Sequence, residues 1–173
     1  MLCRKGYEVD DRQQIDGASA ARSGGLERRL VYRLMAYWRS KNGEDSFPTH
    51  AAIDPSEIAE IWSNIMVIDL DLDENQPVWI FAGEDHVKEL GFDPCGKGLD
   101  AVPENSLAGQ ATNYWKNVRD RAVPYSIGGK FERFDGNIIL YRSILLPLSD
   151  DGVRVNKMLG GANYRILLED DQG

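Results

Sequence analysis

Long apolar runs, cysteine, histidine and surplus positive charge are all scarce in these 173 residues. Nothing approaches the roughly 20 consecutive apolar residues that cross a bilayer. The first 25 residues (MLCRKGYEVDDRQQIDGASAARSGG) lack the apolar core of a secretory signal. These absences argue against membrane insertion and export, so the expected address is cytoplasmic. Two cysteines, Cys3 and Cys95, make neither a disulfide framework nor a zinc cluster. Two histidines, His50 and His86, have no metal-ligand spacing to each other or to either cysteine. With 28 Asp and Glu against 20 Lys and Arg, the net charge of −8 argues against a nucleic-acid partner, because a phosphate backbone is gripped by a basic surface. Neither a Gly-x-Ser-x-Gly elbow nor a His-Glu-x-x-His pair occurs, and nothing in the sequence encourages a catalytic reading.

What is present is the patterning of one domain, expected over residues 26–168, after a disordered leader at 1–25 and before a tail at 169–173. Leu26, Leu30, Val31, Leu34, Met35 and Trp38 recur at helical spacing among arginines, which predicts an amphipathic flanking helix over 26–42. Its apolar stripe requires a cover, either the domain's own sheet or the same helix of a second copy. Asp54-Pro55-Ser56-Glu57 is a helix start, with a capping carboxylate, proline in the first turn and a further acid. Residues 64–73 (NIMVIDLDLD) and the run VWIFAG read as a hairpin of two strands. A short helix over Glu84 to Leu90, closed by Gly91, and a longer one from Asn105 to Arg121 follow. Three long strands then run from Tyr125 to Phe134, Ile138 to Leu148 and Val153 to Leu168. They are joined by Asp135-Gly136-Asn137 and Ser149-Asp150-Asp151-Gly152. Gly160-Gly161 in the last strand predicts a bulge or a close backbone approach.

Several motifs fail on inspection. Gly91 to Gly98 nearly spells a phosphate loop, yet Gly98 stands where a hydroxyl must hold magnesium, and Asp93 would repel phosphate. Asp69, Asp71 and Asp73 resemble the opening of a calcium loop, but Glu74 replaces the glycine and Ile80 the final bidentate glutamate. Alternating carboxylates on a strand read better as its solvated face. Glu84 and Asp85 are neighbours on a helix and do not face each other, so they serve the helix start rather than acid-base chemistry.

The order of two strands, a helical middle and three antiparallel strands resembles a PAS domain, and residues 34–166 resemble a bacterial, near-standalone branch of it. The match rests on Tyr37-Trp38-Arg39, Phe47-Pro48, Asp54-Pro55, Phe81-Ala82-Gly83, Leu90-Gly91, Gly96 and Leu145-Leu146-Pro147-Leu148-Ser149. The resemblance implies an α+β fold, a five-stranded antiparallel sheet with helices on one face and an N-terminal flanking helix. It also implies a non-catalytic sensory module that binds a small molecule or a signalling protein and signals through dimer or protein contacts. With no output domain readable, such a module would act on a separate partner. A homodimer through Leu30, Leu34 and Trp38 is the expected form. Met66, Phe81, His86, Tyr114, Trp115, Tyr141 and Ile144 are the candidate lining of a cavity, although such side chains more often simply fill a core. The light-sensing branch pairs flavin with an Asn-Cys-Arg-Phe-Leu-Gln run that Cys95 does not match. The haem-binding branch uses a histidine on the long helix, where this chain has none. Both cofactors are therefore disfavoured, and the cofactor is left open. The alternatives are a ligand-free structural adaptor and a small enzyme with a pocket around His86.

Overall fold

The computed structural model describes residues 8–10, 20–43 and 47–168, with the segments up to residue 27 described as backbone. The described strands form one sheet in the order β1-β4-β5-β6-β2-β3, where β1 is Glu8–Asp10, β2 Ile65–Asp69, β3 Val78–Ala82, β4 Tyr125–Glu132, β5 Ile138–Leu148 and β6 Lys157–Ile166. From β2 to β6 all neighbours are antiparallel, which is the expected five-stranded sheet; β1 adds to the outer edge of β4 in parallel. Residues 1–7 and 11–19 of the expected leader, and the tail at 169–173, lie outside the described residues.

The leading helix, α1, spans Ala20–Ser40, so it starts a turn and a half before the position that periodicity suggests. Its stripe is covered by the domain's own sheet. Leu30, Leu34 and Trp38 are at most 6% exposed, and the Trp38 indole N–H donates to the carbonyl of Pro147 at 2.8 Å. This corrects the expected dimer contact, since three side chains sealed in a monomer core have no surface left to offer a second copy.

Side-chain alternation shows which face each helix covers. A Cβ on Gly161 would meet Leu34 and Leu30, whereas one on its neighbour Gly160 would meet Leu145 and Met66 at 2.8 Å. The paired glycines are thus a close approach on both faces, and the register of β5 with β6 runs through them without a bulge. Ile144, opposite Gly161, therefore faces α1. Leu145, Ser143 and Tyr141 face the other side, where α2 (Glu84–Leu90), α3 (Leu107–Thr112) and α4 (Trp115–Arg121) lie.

Local chemistry explains where the elements stop. Residues Pro55–Asn64 form a 3-10 helical segment, with Asp54 accepting from the Ser56 N–H as its cap. α2 ends at Gly91, whose φ of 80° only glycine adopts freely. The expected helix from Asn105 to Arg121 is divided. Ser106 caps α3 by accepting from the Gly109 N–H, and Tyr114 leaves helical geometry (φ −101°, ψ 16°) before α4 begins. The break lets the Tyr114 hydroxyl meet the Ser143 hydroxyl at 2.9 Å across the helix–sheet interface. Strand β2 stops at Asp69, because the Asp69 carboxylate accepts from the N–H groups of Asp71 and Leu72 and curls the chain. Asp71 and Asp73 thus lie in a turn, not on a solvated strand face. The Gly91–Gly98 loop has a structural job: Trp79 N–H donates to Lys97 O at 2.9 Å and Gly96 N–H to Trp79 O at 2.8 Å, which covers the open edge of β3.

Candidate functional site

Helix α2 is seated by Gly83, where any Cβ would lie 2.3 Å from the Ser63 carbonyl oxygen. That close seat turns His86 inward and leaves Asp85, Lys88 and Glu89 along the adjoining side of the helix, where they line the neighbouring cleft. His86 is fully buried, and its Nε2–H donates to the Asn64 carbonyl at 2.8 Å. A carbonyl can only accept, so the ring proton sits on Nε2 and Nδ1 is a bare acceptor, buried without a partner. Burial outweighs the Asn64 bond and the nearby Asp85 charge, pushing the His86 pKa down and holding the ring neutral. Asp85 does not orient the imidazole; it accepts from Ser63 Oγ at 2.8 Å and Asn64 Nδ2 at 3.0 Å. The acid–imidazole arrangement that an enzyme around His86 would use is therefore not assembled.

Beside α2, the β4–β5 turn closes a cleft of about 450 Å³ lined by Asn64, Asp85, Lys88, Glu89, Leu107, Arg133, Phe134, Asp135, Asn163 and Tyr164. Most of its charges are matched locally. Lys88 pairs with Glu84 at 3.0 Å, and Arg133 with Asp135 at 2.6 Å. The Arg133 guanidinium holds the Asp135 carboxyl well below the usual carboxylate range. The same guanidinium lies 6.0 Å from the centre of the Phe134 ring and 5.7 Å from that of Tyr164, within reach of both π faces. Glu89 is less well served. Its Oε1 accepts from the Leu107 N–H at 3.1 Å, but Oε2 is buried without a partner, and burial pushes its pKa up. Phe134 stands 76% exposed at the rim, a large apolar ring without a cover. The cleft thus offers a ring face, a poorly solvated carboxyl and the Tyr164 hydroxyl, which can hold a small molecule carrying a ring and a hydrogen-bond donor.

None of the seven side chains nominated from sequence lines this cleft. Met66, Tyr114 and Tyr141 lie on the helix side of the sheet as packed core; the Tyr141 hydroxyl reaches Gln110 at 3.4 Å and its ring meets Phe131 edge-on at 5.7 Å. Phe81 stacks on Trp62 at 4.6 Å, Trp115 is half-buried under Arg119, and Ile144 faces α1. Cys95 is exposed on the Gly91–Gly98 loop, where partial burial and Asp93 push its thiol pKa up and away from the reactive thiolate. Among the cleft residues, Phe134 alone carries a local mark, an aromatic side chain at the start of a hairpin turn, where exposure is the rule.

A family model described as PAS domain matches residues 27–162. No curated protein matches the chain. Similar solved structures include a light-oxygen-voltage domain studied with a flavin analogue, 16% identical over 66% of this chain and 84% of that one, with a TM-score of 0.47. The LOV domain of the Erythrobacter litoralis EL346 blue-light activated histidine kinase is 12% identical over 60% and 96%, with a TM-score of 0.45. VqmA bound to DPO is 12% identical over 65% and 58%, with a TM-score of 0.48.

Proposed function

The chain belongs to the PAS domain family, a family of sensory modules, and from that premise we propose that it is a non-catalytic cytoplasmic sensor. Its input is a small ring-bearing molecule held between α2 and the β4–β5 turn, and its output goes to a partner protein. The observation that carries the input side is the cleft itself, whose lining includes both the exposed Phe134 ring and a buried carboxyl oxygen of Glu89 that lacks a donor. A bound N–H or O–H that parted the side chains sealing that oxygen would satisfy it, and ring contact would cover Phe134.

A second reading, the ligand-free adaptor, is favoured by the interior between helices and sheet. Met66, Ala108, Ala111 and Leu145 there are fully buried, and Tyr114 is tied to Ser143. Native mass spectrometry of protein purified without denaturant separates the two. The sensor reading expects a retained small molecule that is lost in Phe134→Ala and Glu89→Gln proteins while the fold persists. An empty wild-type protein, or a retained molecule indifferent to both substitutions, would overturn the cleft and leave the adaptor. Among the described residues no helix is long and apolar enough to cross a membrane.

A further inference from the structure

The outward face of α1 differs in charge from the chain that carries it. From residue 28 to 40, Leu30, Val31, Leu34, Met35, Tyr37 and Trp38 turn inward, while Arg28, Arg29, Tyr32, Arg33, Ala36 and Arg39 are exposed. That face holds four arginines and no carboxylate, on a chain of net charge −8. Arg33 is joined to Glu60 of the 3-10 segment, and Arg39 is also engaged. Arg28 and Arg29 have no ion-pair partner among the described residues, and Tyr32, one helical turn beyond them, is 66% exposed. Arg29 and Arg33, four residues apart, repel each other along the helix, so this pattern does not serve helix stability. The helix itself is fixed, since its inner stripe is locked to β5 and β6.

We propose that this face, centred on Arg28, Arg29 and Tyr32, docks an acidic segment of a partner protein. Guanidinium groups recognise carboxylates through paired hydrogen bonds, and arginine and tyrosine are the residues that concentrate binding energy at protein interfaces. The alternatives fit less well. A polyanionic nucleic acid would meet the negative field of the rest of the chain. A membrane surface would require a free apolar stripe, but the apolar side of α1 lies under the sheet. Two copies of the chain repel through their shared net charge. The inference rests on the partner-directed half of the function proposed above, and it uses the outer surface of α1, on the side of the sheet opposite α2 to α4.

The test is fluorescence anisotropy of a short fluorescein-labelled glutamate-rich peptide with one central phenylalanine, titrated with the full chain. Binding is expected to weaken as salt rises, to fall about tenfold in the R28A/R29A protein and to fall comparably in Tyr32→Ala. Unchanged denaturation midpoints would show that the variants fold. No binding, equal binding by wild type and R28A/R29A, or preferential binding of phosphatidylserine vesicles or duplex DNA would overturn the proposal. So would a wild-type dimer in sedimentation that the same substitutions dissolve. If the peptide fails while the cleft retains its molecule, the docking surface falls and the sensor stands; peptide binding by an empty chain means the reverse.

Discussion

The two faces of the sheet are covered by different chemistry. Under α1 the contact with the sheet is mainly apolar: Leu30, Leu34 and Ile65 close around Gly161, while the Trp38 indole is anchored on the Pro147 carbonyl and the Tyr37 hydroxyl accepts from the Asp54 N–H at 2.7 Å. Under α2 to α4 the interior carries hydroxyls and a histidine: Tyr114 on Ser143, Tyr141 on Gln110, and His86 on Asn64. Apolar burial is non-directional, whereas hydrogen bonds require a set distance and angle. The α1 face therefore holds the fold together, and the other face sets where the helices around the cleft sit.

Four substitutions sharpen or break that contrast. The largest effect is expected from Leu34→Ala, which opens a cavity at a fully buried site and costs about 2–5 kcal/mol in chemical denaturation. His86 comes next, and its effect depends on pH. Its folded pKa lies below the unfolded value of about 6.5, so below that pH the unfolded chain binds a proton that the folded chain refuses. Stability is full above the unfolded pKa and falls by about 1.4 kcal/mol per pH unit beneath it, until the folded pKa is reached. Denaturation at pH 8 and at pH 5 should show this slope, and His86→Gln should flatten it. Glu89 acts with the opposite sign. Its raised folded pKa means that stability falls as pH rises from the ordinary glutamate value through the folded one, so the two slopes separate when Glu89→Gln is measured alongside. The smallest effect is Tyr114→Phe, about 0.5–1.5 kcal/mol for one buried hydrogen bond. Should Tyr114→Phe cost more than Leu34→Ala, the division of labour between the faces is wrong.

Features governed by adjacent residues were readable in the sequence. Gly91 ended its helix, Asp135-Gly136-Asn137 made a hairpin in which Gly136 has φ 82°, and Gly160-Gly161 marked a close approach. Features decided by distant partners were not. The amphipathic stripe of α1 was plain, but its cover could be assigned only once β5 and β6 lay beneath it. The split at Tyr114 depends on Ser143, 29 positions away. Asp69 to Asp73 alternated as a strand would, yet the Asp69 side chain captured backbone N–H groups that a strand would have used. The cleft was hidden for the same reason: Glu89, Leu107, Arg133 and Tyr164 come from four separate elements, and no spacing rule connects them. The aromatic and methionine residues nominated instead are mostly core, a use their chemistry suits equally well.

Strand β5 joins two places that are otherwise far apart. It leaves the Arg133–Asp135 turn at Ile138 and ends at Leu148, next to the Pro147 carbonyl that anchors Trp38. At about 3.4 Å per residue this is a span of roughly 30 Å or more. Paired with β4 on one side and β6 on the other, it is stiff along its length, like a push-rod held between two rails. An axial shift of the turn would be carried along this strand toward the Pro147 carbonyl that anchors Trp38, so the turn and the end of the leading helix share one paired strand.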